Sequence, residues 1–393
     1  MKKGKEALRE LYNFKGFSFR DICKEISVLI QMKRKGKTGT CPVCNKKRRK
    51  AIEIRKRIIR DKNIAEEKCF IAIKTYRIIC KGCYRGMEKL DFILPGERFT
   101  ERFANYIFHL CEKMTLKDVA EMAMINWRTA KRIDKKKLQE QFKDLNNINP
   151  TRIGVDEIAH EKGHKYLTIV RDLDAGVIWV GEKRKEETLD QFFQELGKEK
   201  SLKITVAVID MWDPFIKSIK ENTKAEIVFD KFHIAKKINE AVDNIRKREF
   251  AKADKEERIE MKHKRFLILS RNENLNKNKR EDLNHLLALN KTLYESYILK
   301  EQALNIFQRK QRNVALGRLK NWKENVHESR IEEFQKLLKT LEHYWYEIEN
   351  YFTHHVTNGA SEGYNNKINI IKRRAYGFKD IEYFKLEILQ SCS

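Results

Sequence analysis

Two aspartates stand where a charge is costly. Asp156 lies inside the apolar run Ile153-Gly154-Val155-Asp156-Glu157-Ile158, and Asp210 ends a second one, Val206-Ala207-Val208-Ile209-Asp210. An ionised carboxylate in such surroundings needs compensation, and a metal ion is one source of it. In an open sheet, ligand-binding groups collect at the carboxyl ends of the strands, so two such acids on neighbouring strands would face one another. With a third acid they would hold divalent ions, Mg2+ or Mn2+, about 3.5–4 Å apart. Ions so held lower the pKa of an attacking water or hydroxyl and neutralise charge on a phosphate, which is the chemistry of phosphoryl transfer. The plainer reading is that each aspartate caps a helix or turn, the role assigned to Asp172, Asp174 and Asp213.

Spacing alone does not select the third acid, because the later part of the chain holds many glutamates. Chemistry narrows the choice to one that returns to the sheet and lies near cations. Glu362 fits, in Ser361-Glu362-Gly363-Tyr364-Asn365-Asn366-Lys367, with Asn366 one turn along the same helix face and Lys372-Arg373-Arg374 further on. Helix capping is its plainer role.

Cys41-Pro-Val-Cys44 and Cys80-Lys-Gly-Cys83 present two pairs of thiolates. Each pair can place both sulfurs on one ion, and tetrahedral Zn2+ accepts four such ligands. The gap between the pairs exceeds the commonest ribbon spacing. Cys23, Cys69, Cys111 and Cys392 have no paired spacing and read as core or surface thiols.

Lys and Arg total 84 against 57 Asp and Glu, a net charge of +27 spread along all 393 residues. A polyanion is the natural partner, since counterions released from a phosphate backbone drive such binding. A lysine-rich proteome would give the same charge. An anionic membrane fits less well, because the cations are not arrayed on one amphipathic helix. No stretch approaches the roughly 20 apolar residues of a membrane span, and Met1-Lys2-Lys3-Gly4-Lys5 is not followed by an apolar signal core, so a cytoplasmic, nucleoid-associated protein is expected.

The elements that would position these residues follow from periodicity and punctuation. Pro95-Gly96 and Pro150 read as linkers. Residues 1–95 hold short β-like runs, Ile26 to Met32 and Phe70 to Ile79, around the cysteine pairs and the basic stretch Lys46 to Lys50. Residues 96–150 are helical, with Asn126 placed to cap a second helix packed across a tight turn; Trp127, Arg128, Thr129, Lys131 and Arg132 stand at its start, the part that would enter a major groove. From 151 the pattern becomes β-β-β-α-β-α-β-α: strands Arg152 to Ala159, Lys165 to Arg171 and Gly176 to Gly181, a helix Glu186 to Leu196, a strand Ile204 to Ile209, a helix after Pro214, a strand Glu226 to Phe229 and a helix from Phe232. That order gives an α/β mixed sheet of the ribonuclease-H-like kind. Residues 251–352 become charged helices, with Phe334, Leu337, Leu338, Leu341, Trp345 and Ile348 tracing one apolar face. Residues 353–393 return to the sheet, with a helix Ala360 to Arg374. Trp322, among the cations Lys320 and Lys323, is placed either to stack on an unpaired base or to pack.

The segments Gly154-Val-Asp156-Glu-Ile, His164-Lys-Tyr-Leu-Thr-Ile-Val, Asp210-Met-Trp-Asp-Pro-Phe, Phe229-Asp230-Lys-Phe-His233 and Asn358-Gly-Ala-Ser-Glu362-Gly-Tyr-Asn-Asn-Lys-Ile, then Lys372-Arg-Arg-Ala-Tyr-Gly-Phe, resemble those of a bacterial insertion-sequence DDE transposase family. The likeness covers nearly the whole chain in order, and its closing motif is specific. It implies an amino-terminal zinc ribbon, a helix-turn-helix and a ribonuclease-H-like catalytic domain split by a helical insertion. It makes Asp156, Asp210 and Glu362 the catalytic triad, with His233 supporting them; unaided, His233 reads as a helix-face histidine. It also implies binding of the terminal inverted repeats of a mobile element, pairing of two ends by a dimer or larger synaptic assembly, and strand transfer into target DNA. A zinc-stapled DNA-binding regulator without catalysis and a nuclease of the same fold are the rival readings. The chain stops at Gln390-Ser-Cys-Ser, soon after the last motif, consistent with slight truncation.

Overall fold

The computed structural model describes residues 2–393 apart from Lys50, Pro95, Lys162, His164 and Tyr376. The boundary at Pro95, the end of the basic run at Lys50, and His164 and Tyr376 of the motif segments thus lie outside the described residues. The chain forms two compact units, one of residues up to Lys143 with Arg374–Leu386, the other of Asp144–Arg373 with Glu387–Ser393.

In the first unit, α1 (Lys2–Leu11) precedes β1 (Phe17–Lys24), β2 (Val28–Arg34), β3 (Gly39–Thr40), β4 (Lys47–Arg48), β5 (Ala51–Ile64), β6 (Glu67–Cys80) and β7 (Tyr84–Met87). The main sheet runs β1-β2-β6-β5, with β7 pairing β6. Its two 14-residue strands, β5 and β6, are antiparallel over nearly their whole length. The sequence reading caught β2 and β6 and missed β5. Arg55, Lys56 and Arg57 interrupt β5, so the alternation of Ile52, Ile54 and Ile58 breaks at Lys56, and all three isoleucines face solvent.

Three helices follow: α2 (Glu101–Cys111), α3 (Leu116–Met122) and α4 (Trp127–Gln141). Thr100 and Thr115 cap the first two, and the Asn126 side chain accepts the Arg128 N–H at 2.9 Å, the cap read from sequence. Between α3 and α4 the backbone passes through a left-handed residue, Met124, at φ 53°. Phe103, Ile107, Val119, Ala130 and Ile133 close the small core of these helices.

The second unit holds the five-stranded mixed sheet. Strands β8 (Arg152–Glu161), β9 (Lys165–Asp172) and β10 (Gly176–Glu182) form an antiparallel meander, and β11 (Val206–Ile209) and β12 (Glu226–Phe229) join it in parallel, in the order β10-β9-β8-β11-β12. The crossovers are α5 (Glu186–Leu196) with the short α6 (Lys198–Ser201), and α7 (Asp213–Asn222). From β12 the chain enters α8 (Lys231–Lys252), which runs straight into a block of helices: α9 (Lys255–Met261), α10 (Arg265–Leu269), α11 (Lys277–Leu289), α12 (Lys291–Ile306), α13 (Arg312–Ser329), α14 (Glu332–His343) and α15 (Trp345–His354). Then α16 (Ala360–Arg374) and α17 (Ile381–Cys392) end the chain. One apolar core continues from Val155, Val208 and Phe229 of the sheet into Leu286, Leu319 and Phe334 of the block. The apolar face read from Phe334 to Ile348 belongs to two helices, since Tyr344 leaves helical geometry at φ −117° and ψ 26°. The stripe continues across the break because both helices press on the same core.

The structure decides Trp322 for packing and against a DNA contact. It is 2% exposed, and its indole N–H donates to the Leu299 carbonyl at 2.9 Å. A ring closed off on every side, with its polar atom already satisfied, offers no face to a nucleobase. Its neighbours Lys320 and Lys323 carry the charge that made it look like a surface residue.

Candidate functional site

The parallel pairing of β11 with β8 sets Val208 against Gly154. Two residues further along each strand stand Asp210 and Asp156, so the register brings the two aspartates side by side. His233 enters from the first turn of α8, its Nδ1 2.9 Å from Asp210 Oδ2. Ligand atoms of Asp156, Asp210 and His233 all lie within 4.8 Å of one another. Glu362, exposed in the first turn of α16, is not part of that cluster but lines the same cavity.

A hydrogen bond from α16 reaches the strand acid directly: Asn365 Nδ2 donates to Asp156 Oδ2 at 2.9 Å. Entry to this helix is tied down by Asn358, buried against the guanidinium of Arg171. Gly154 makes room for that contact, since a Cβ there would come within 2.6 Å of Asn358 Oδ1. Arg171 also lies 5.1 Å from the centre of the Tyr364 ring.

Five carboxylates line the cavity: Asp156, Glu157, Asp210, Asp230 and Glu362. Burial, together with the neighbouring Asp210 and Asp156 carboxylates, pushes Glu157 up to about 7 even though Arg184 pairs with it. Burial likewise raises Asp230, which caps α8 by accepting the Phe232 N–H at 3.0 Å. Burial would lower His233, but its hydrogen bond to Asp210 and the charges of Asp210, Asp156 and Asp230 together outweigh this and hold it above the ordinary histidine value. So much negative charge around one space is stabilised by a cation. Asp210 Oδ1 is buried and has no hydrogen-bond partner among the described residues, an acceptor suited to a metal ion.

Sequence reasoning singled out Asp156, Asp210, Glu362 and His233, and the structure brings all four to this cavity. It missed Glu157 and Asp230 as members, although both lie within the quoted motif segments. Arg184, stacked 3.9 Å over the Trp212 ring, comes from the loop after β10, where no local pattern marks it. Of the α16 cations, Lys367 donates to the Ser391 carbonyl, Lys372 to the Ala159 carbonyl at 3.3 Å and Arg374 to Lys113 and Met114 carbonyls, while Asn366 lines the cavity and Arg373 is exposed.

In the first unit, Cys41, Cys44, Cys80 and Cys83 converge with all four sulfurs within 4.8 Å of one another. Sulfur separations of 3.7 Å (Cys41 to Cys83) and 3.5 Å (Cys44 to Cys80) are too long for disulfides and suit a shared tetrahedral ion. The backbone N–H of Lys46 draws the Cys44 thiol down to about 6, favouring thiolate.

On α4, Trp127 and Arg128 are exposed and Thr129 partly so. Lys131 is paired with Asp380 at 2.9 Å, and Arg132 grips the Glu97 carboxylate at 2.7 and 2.8 Å. Arg132 is nonetheless exposed and Lys131 partly so, each beside a carboxylate of the protein itself.

No helix among the described residues is long and apolar enough to cross a membrane. A family model described as Transposase matches residues 153–388, and one described as Helix-turn-helix domain of transposase family ISL3 matches residues 88–136. The chain is 29% identical over 365 residues to the transposase for insertion sequence element IS1001 of Bordetella parapertussis, covering 91% of this chain and 90% of that one. It is 28% identical over 289 residues to the transposase for insertion sequence element IS1557 of Mycobacterium tuberculosis, covering 66% of this chain and 64% of that one.

Proposed function

This chain belongs to transposase family ISL3 and is a DNA transposase, and from that premise we propose that it binds the terminal inverted repeats of an insertion sequence, cuts the DNA there and joins the freed end to target DNA. The observation that carries the reading is the convergence of Asp156, Asp210 and Glu362, from three separate elements, on one cavity. The sheet order, with a meander followed by two parallel strands, supports a ribonuclease-H-like catalytic domain that the helical block of residues 251–352 interrupts.

Asp156, Asp210 and Glu362 would hold divalent ions, Mg2+ or Mn2+. Bound there, such ions would lower the pKa of an attacking water or hydroxyl and neutralise charge on the scissile phosphate. His233 fixes the Asp210 carboxylate and Asn365 fixes that of Asp156, so both acids are aimed before DNA arrives. Lys236 and Lys237 at the cavity, with Arg373 on α16, attract the phosphate backbone. Zn2+ on Cys41, Cys44, Cys80 and Cys83 staples the amino-terminal module as a zinc ribbon. Residues 1–95 and 96–150 act as two DNA-binding modules, and Trp127, Arg128, Thr129, Lys131 and Arg132 at the start of α4 enter a major groove. A dimer or larger assembly pairs the two ends at the nucleoid.

The test is incubation of the protein and Mg2+ with a duplex carrying the inverted repeat that brackets the gene, plus target DNA. Nicking at the repeat boundary followed by joined products supports the reading. Nicking without joining would leave a nuclease, and binding without nicking a regulator.

A further inference from the structure

The acid cavity has an aromatic rim that metal chemistry does not need. Phe232 is 55% exposed and lines the same space as Asp156, Asp210 and Glu362. Its position is held at both ends: its backbone N–H donates to Asp230, and the next residue, His233, is bonded to Asp210. Opposite stands Gly359, just before the helix of Glu362. A Cβ at that position would come within 3.3 Å of the ring, so glycine leaves the edge of Phe232 clear. Lysines surround the ring. Lys231 Nζ is 5.6 Å from its centre, and Lys236 and Lys237, one turn along α8, line the cavity beside it.

An uncovered apolar ring among lysines is the combination by which proteins hold opened nucleic-acid strands, with the base face on the ring and the phosphates on the ammonium groups. A fully paired duplex keeps its base faces stacked on one another, so a ring beside the cutting site gains contact only when a base leaves the stack. We propose that Phe232 stacks on an unpaired nucleobase at the DNA end and so holds the strand with its scissile phosphate against the acids; this rests on the transposase reading above. The ring has no hydrogen-bonding group, so the contact tolerates any base and favours opening of the end over recognition of its sequence. Stacking of this kind is the role that the buried Trp322 cannot fill.

The test uses the full-length, zinc-bound protein with Mn2+ and two duplexes carrying the inverted repeat that brackets the gene, one fully paired and one mismatched at the cleavage site. Phe232→Ala is expected to slow cutting of the paired duplex about 10-fold or more and to recover most of the loss on the mismatched one. Phe232→Leu fills space without a π face and should behave like Phe232→Ala, while Phe232→Trp keeps parental rates. Emission from 2-aminopurine at the boundary base should change on binding the parent and not the alanine variant. Parental rates for Phe232→Ala on the paired duplex would overturn the proposal, as would equal loss on both duplexes with Phe232→Leu unimpaired. A parent protein that cuts neither duplex would overturn the transposase reading as well, and so is told apart from failure of the stacking role alone.

Discussion

The side-chain amide of Asn365 donates to Asp156 at 2.9 Å, joining the helix of Glu362 to the central strand across 209 residues of chain. A bond of this kind to a charged group is worth about 1.5–3 kcal/mol. Asn365→Ala should therefore slow cleavage about 10- to 100-fold, and part of that loss should return at higher Mn2+, because a misaimed carboxylate weakens metal binding first. Cleavage rate against Mn2+ concentration measures both effects.

His233 gives a pH signature. Its folded value lies above the ordinary 6.5, because its bond to Asp210 and the charges of Asp210, Asp156 and Asp230 together outweigh burial. A raised histidine contributes stability that is fully present below about pH 6.5 and lost as pH rises through the folded value. Without added divalent ions, the denaturant midpoint should fall between about pH 6 and about pH 8, and the slope should flatten in His233→Gln. A midpoint rising over that window would contradict the assignment.

The cysteine cluster should carry about one zinc per chain. Cys80→Ser, or a chelator strong enough to strip the ion, should release it and unfold the β3–β4 and β6–β7 turns, read by metal content together with protease sensitivity. Acidification should release zinc in the same way, because protons compete with the ion for the four thiolates.

Trp322→Ala should cost about 3–5 kcal/mol of stability by opening a cavity under α12 and α13. At temperatures where the variant stays folded, its DNA affinity should match the parent's. A selective loss of binding to unpaired DNA would instead assign Trp322 the base-stacking role.

How much was legible in the sequence depends on what each pattern encodes. The sheet strands of the second unit were read nearly to the residue, since strands buried on both faces are mostly apolar runs between clear turns, and a lone aspartate in such a run stands out. The four cysteines were legible from spacing alone. Trp322 was left between stacking and packing because local charge says nothing of what packs over a ring from distant helices. Arg184, Asn365 and Phe232 were invisible as site residues. What makes them relevant is the pairing of β11 with β8 and the docking of α16, which are long-range events with no local trace. The ion pairs of Lys131 with Asp380 and of Arg132 with Glu97 left no local trace either, because the partners lie well away in sequence.

Glu362 is the acid on which convergence depends most, since it alone stands outside the close cluster of Asp156, Asp210 and His233. The direct measurement is metal-dependent nicking of an end-containing duplex by Glu362→Gln, beside a binding assay on the same DNA. Nicking should vanish while end binding stays at the parental level. Parental nicking by Glu362→Gln would contradict a three-acid site.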